Sequence, residues 1–135
     1  MQSINFDEGY KTYAINGDEN RVIKVQVTDL NLPKRAQDAM AELQACYDKY
    51  DNITADDLVT LDKEFREVIN KVFNSDICTT AFGEANIASP LDDGEPLCVH
   101  FFKAFMPILE EEISKTAESY KARPEVEQYL DGKEK

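Results

Sequence analysis

The segment Leu97-Cys98-Val99-His100-Phe101-Phe102-Lys103-Ala104-Phe105-Met106-Pro107-Ile108-Leu109 constrains the fold more than any other stretch of the chain. Leu97, Phe101, Phe105 and Leu109 recur at helical spacing, and Cys98, Phe102, Met106 and Ile113 flank that line. The apolar residues cover more than the stripe a surface helix buries. The helix must therefore lie central to a core or present a second face to a partner. Pro107 withholds one backbone donor, which predicts a kink between Lys103 and Pro107. The run ends in Glu110-Glu111-Glu112.

The elements before it read in order. Residues 10–27 form a β-hairpin, because Val25 and Val27 alternate with Lys24 and Gln26, and Asn16-Gly17 supplies a positive-φ turn. A two-stranded hairpin is marginal alone, so it packs on helices or pairs with another subunit. Pro33, behind Asp29 or Asn31 as cap, opens a helix running to about Tyr50. Thr54 and Asp57 resemble a capping box for a second helix, whose Leu58, Leu61, Phe65, Val68/Ile69 and Val72 form a seam. The short connection predicts an antiparallel helical hairpin. Ile77 to Phe82 is a short apolar turn stopped by Gly83, and Pro90 and Pro96 bracket the loop before the long last helix. The class is α+β, mainly α: an N-terminal β-hairpin, an antiparallel helical hairpin, a short helix and a long C-terminal helix. The expected domain spans residues 1–120, with 32–113 as helical core and 121–135 as a polar tail.

The 135 residues carry a formal charge of −12. Residues 121–135 hold four bases and four acids, so the whole excess sits on the preceding part. Nucleic acid needs cations to displace its counterions, and anionic membrane surfaces need them too, so both are excluded as partners. A basic protein partner is favoured. No window approaches a membrane span, no export signal opens the chain, and three widely spaced cysteines read as reduced thiols of a cytoplasmic protein.

Catalytic furniture is missing from the pattern. His100 is the one histidine, and Cys98, two positions away on a helix, points to the opposite side, so the two share no metal. The carboxylate pairs Asp56-Asp57 and Asp92-Asp93 sit in a helix start and a turn, where a solvated role is ordinary. There is no phosphate-cradling glycine loop. The reading is a binding or assembly protein, not an enzyme, with no catalytic residue, metal or cofactor.

Recognition then falls to the surplus apolar side chains. Phe102, about 100° round from Phe101, is expected to border a groove with Met106 and Ile113 that accepts an amphipathic helix, with Phe82 and Leu91 as further partner-binding residues. Tyr13, Ile15, Ile23, Val25 and Val27 are the candidates for self-association into a homo-oligomer through the hairpin.

The order Tyr13-x-Ile15-Asn16-Gly17-Asp18-x-Asn20-Arg21-Val22-Ile23, then Val72-Phe73-Asn74-Ser75-Asp76-Ile77-Cys78, Phe82-Gly83-x-Ala85-Asn86, Ser89-Pro90 and Gly94-x-Pro96-Leu97 carries a resemblance. It resembles a family of small acidic proteins encoded in tail gene clusters of siphophages and prophages of Gram-positive bacteria. Members lie near the tape-measure gene and are similar in position and size to tail assembly chaperones. The resemblance spans about Tyr10 to Glu112 and implies a host-cytoplasm protein that binds the tape measure protein, the tail tube protein or both during tail assembly. It brings no cofactor and no catalytic residue. Two alternatives stay open: a structural tail or tail-junction subunit retained in the virion, and a phage protein that binds and modulates a host protein.

Overall fold

A computed structural model describes residues 1–121 of the chain. Two strands, β1 (Lys11–Ile15) and β2 (Asp18–Val25), precede four helices: α1 (Leu32–Asp48), α2 (Ala55–Phe73), α3 (Cys78–Phe82) and α4 (Leu97–Lys121). The fold class read from the sequence is the one observed. The remainder of the polar tail, residues 122–135, lies outside the described residues.

Asn16 and Gly17 both take positive φ (51° and 75°), the turn geometry that matches the twist of an antiparallel pair. Ile15 pairs with Asp18 across this turn, but Ala14 already pairs with Val22. Residues 19–21 are therefore bulged out of β2. Arg21 leaves the bulge towards α3, where its guanidinium donates to the carbonyl oxygens of Thr80 (3.2 Å) and Ala81. Those carbonyls sit in the last turn of α3 and would otherwise lack partners.

The inner face of the hairpin carries Tyr13, Ile23 and Val25 in register, with Lys11 opposite Val25. Lys11 Nζ lies 2.8 Å from the Glu112 carboxylate, which ties the start of β1 to the second half of α4. Ile23, Val25 and Val27 are buried within the monomer. Of the side chains assigned to self-association, these three join the molecule's own core, whereas Tyr13 and Ile15 are half-buried.

Thr54 and Asp57 form the expected capping box at α2, with bonds of 3.2 and 2.9 Å. Asn74 in the left-handed region ends the helix. Asn70 then organises the turn into α3, its Oδ1 accepting from the N–H groups of Ile77 (3.0 Å) and Cys78 (3.1 Å). α4 continues through Pro107 without interruption, and Pro107 is exposed. One apolar cluster joins β2, all four helices and the loop residues Ile87 and Ala88, and no polar or charged residue of the described chain is fully buried.

Candidate binding grooves

The side chains of α4 divide into three lines. Cys98, Phe102, Phe105 and Leu109 are buried, at 0–4% exposure, and form the innermost line. Leu97 and Phe101 lie half-buried on one side; Val99, Met106 and Ile113, spaced seven apart on one stripe, lie half-buried on the other. Phe105 and Leu109 lie inside as the spacing predicts, whereas in the first turns Cys98 and Phe102 take the inner places expected for Leu97 and Phe101. Phe102, expected at a groove edge, is 1% exposed and belongs to the core. Helical spacing orders the apolar positions relative to one another, but the packed neighbours decide which of them faces inward.

Each flank of α4 opens on an apolar groove. The first, of about 320 Å³, lies between the hairpin, α3 and the first half of α4. Tyr13, Ile15 and Ile23 form one wall, Phe82 and Ala81 the end, and Phe101, Phe105 and Ile108 the other wall. The aromatic wall is rigid by contact: Phe101 stacks on Phe105 at 5.9 Å and meets Phe82 edge-on at 5.5 Å. Tyr13, Ile15 and Phe82, assigned separately to self-association and partner binding, are therefore brought together.

The second groove, of about 560 Å³, lies between α1, the start of α2, the Pro90–Pro96 loop and Val99. Met40, Leu43, Leu58 and Phe65 form its apolar surface. Tyr47 stands in it edge-on to Phe65 at 5.2 Å, and its hydroxyl donates to the carbonyl oxygen of Ala88. Burial pushes the Tyr47 phenol up to about 12. Leu91 is exposed beside Pro90, at the rim. Met106 and Ile113 line neither groove. Met40 and Ile53 are exposed apolar residues of this second groove, and neither is among the partner-binding residues expected from the sequence. Helical spacing puts Ala39 or Met40 on the inner stripe of α1, and the structure buries Ala39 and leaves Met40 at the groove; Ile53 stands alone in a polar connection, where periodicity carries no signal.

The loop between α3 and α4 is held by polar bonds. Arg66 pairs with Asp62 (3.2 Å) and donates to the carbonyls of Gly83 (2.8 Å) and Ala85 (2.7 Å). Asn86 accepts from the N–H groups of Ala88 and Ser89 and donates to the Leu58 carbonyl. The motif Phe82-Gly83-x-Ala85-Asn86 thus acts by positioning the loop between the grooves.

Asp93, Glu95 and His100 bring possible ligand atoms within 4.8 Å of one another. His100 Nε2 lies 2.8 Å from Asp93 Oδ2, close but outside hydrogen-bond geometry. Lys103 Nζ already lies 2.6 Å from Glu95, so an ammonium stands where a metal would need to enter. The Glu95 N–H, and then the imidazole, hold the Asp93 carboxyl below its usual value. Burial pushes the Cys78 and Cys98 thiols up to about 12, well away from a reactive thiolate. Among the described residues no helix is long and apolar enough to cross a membrane. Comparison with protein-family profiles, curated proteins and solved structures returns no match for the chain.

Proposed function

We propose that the protein is a tail assembly chaperone-like protein of a phage or prophage. In this reading it works in the host cytoplasm and binds an apolar helical segment of the tape measure protein, the tail tube protein or both. The observation that carries the capture of a client is the pair of open apolar grooves flanking α4 on a chain of charge −12. Acidic surface keeps such a protein dispersed while apolar grooves take up a segment that would otherwise aggregate. The tail assignment rests on the resemblance of the Tyr10–Glu112 region. No catalytic step and no cofactor are part of this reading.

Self-association fits the same role through backbone rather than side chains. Among the described residues the sheet holds two strands, so each has one edge unpaired by a strand there. Several copies arrayed along an extended client would gain from multivalency.

A second reading, a structural subunit kept in the finished tail, is favoured by the N-terminal arm. Ile4 and Phe6 there are 86% and 72% exposed and two residues apart, as on one face of an added strand. Co-expression with the neighbouring tape-measure fragment, followed by size-exclusion chromatography, should give co-elution. Mass spectrometry of purified particles should find the chain missing from virions. Presence at a fixed copy number would establish the structural subunit instead.

A further inference from the structure

We infer that the groove between α1, the start of α2 and the Pro90–Pro96 loop is the docking site for a basic amphipathic helix of a partner protein. The inference rests on the capture reading above for the existence of a client. It adds which groove takes the client and what chemistry the client carries.

Three observations select this groove. The first is apolar surface gathered from distant parts of the chain: Met40 of α1 and Ile53 of the α1–α2 connection, 37% and 40% exposed, stand over Leu43, Leu58 and Phe65. Single exposed apolar residues are ordinary, but a set converging on one concavity is a binding surface. The second is charge. From Asp48 to Asp57 and from Asp92 to Glu95, the two segments at its rim, the chain carries seven carboxylates against one base, Lys49. Asp57 is used in the α2 cap, Asp93 faces His100 and Glu95 holds Lys103. Asp48, Asp51, Asp56 and Asp92 remain exposed and enter no ion pair among the described residues.

The third is backbone. Helices and a closed turn, Leu91 to Glu95, bound the groove, and the one extended pairing among its described residues, Pro90 with Pro96, is made by prolines that have no N–H to offer an added strand. A guest that keeps its own hydrogen bonds internal, a helix, is the form that fits. A second copy of this chain would bring its own −12 against the same acidic rim and be repelled. The segments that line the hairpin groove are less acidic: Tyr13 to Ile23 carries Asp18 and Glu19 against Arg21, and Leu97 to Ile108 carries Lys103 and no carboxylate.

The probe is a labelled amphipathic peptide with Leu at i, i+3, i+4 and i+7 and Lys on both flanks, set against its Glu-for-Lys counterpart. Fluorescence anisotropy with the full chain should show the Lys peptide bound at least about tenfold more tightly, with the gap narrowing as salt rises to about 300 mM. Methyl NMR should report shifts at Met40, Leu58 and Val99 and none at Ile15, Ile23 and Ile108. Met40→Gln with Ile53→Ser should weaken binding about tenfold with the circular dichroism spectrum unchanged. Asp51→Lys with Asp92→Lys should flatten the salt dependence.

Equal affinity for the two peptides, no binding of either, or shifts confined to the hairpin groove would overturn the proposal. So would loss of self-association in the Met40→Gln/Ile53→Ser chain without any peptide binding, since that would give the face to a second copy. If tail proteins fail to co-elute but the Lys peptide binds as described, the tail client is wrong and the groove stands. If tail proteins co-elute and the peptide does not bind, the groove is wrong and capture lies elsewhere.

Discussion

Gly83 carries φ 59° with ψ −133°, a region open essentially to glycine. A Cβ built there would meet nothing within 4 Å, so any penalty is purely backbone strain. Gly83→Ala should therefore cost about 1–3 kcal/mol in urea unfolding while leaving groove shape intact. The buried thiols make a second prediction at this scale. With Cys78 and Cys98 pushed up to about 12 and Cys46 also raised by burial, native protein should react slowly with a thiol reagent near neutral pH. All three cysteines should react at once in denaturant, and rapid modification of Cys98 in the native state would contradict its place in the core. Asp29 shows opposing effects on one group: burial works to raise it, yet the Asn31 N–H and Arg35 together hold it below its ordinary value.

Between elements, the hairpin is fastened to α4 by Lys11 and Glu112. The Lys11 hydrogen bond lowers the Glu112 carboxyl below its ordinary 4.5, and the same bond raises Lys11 above 10.5. Glu112 therefore contributes stability that is complete above 4.5 and lost as pH falls through its lowered folded value. The Lys11 contribution is complete below 10.5 and lost as pH rises through its raised folded value. The stability difference between the natural chain and Lys11→Met should thus be flat across the range between these limits and shrink towards either extreme. A difference independent of pH would mean that packing, not charge, holds the strand.

α4 itself is fastened by its innermost line. Phe102→Ala should cost about 3–5 kcal/mol, as for other buried aromatic rings, whereas Met106→Ala, on the half-buried flank, should cost less. Equal costs would show that both sides of α4 are equally covered.

For the whole molecule, the −12 charge is self-repulsive in the compact state. Raising salt from about 10 to 300 mM should screen this and lift the melting temperature by about 3 °C. A falling melting temperature would mean that attractive pairs such as Arg66–Asp62 outweigh the repulsion. The two grooves differ in charge as well as place: carboxylates outnumber bases on the segments at the α1–α2 rim, and acids and bases balance on the segments that line the hairpin groove.

What the sequence determined by itself is the set of elements and their ends. The hairpin turn follows from Asn16-Gly17, the start of α2 from Thr54 and Asp57, and the end of α3 from Gly83, because each depends on bonds within a few residues. What only the tertiary structure decided is where the surplus apolar surface goes. The helical segment after Pro96 has more apolar positions than one stripe, so spacing alone allows several rotations about its axis. Contact with Phe73, which meets Phe105 at 5.3 Å, and with the hairpin selects the one that buries Phe102 and leaves Phe101 and Val99 at the two grooves. That choice, and the meeting of Met40, Ile53 and Val99 from three distant segments, depends on contacts that no local window of sequence contains.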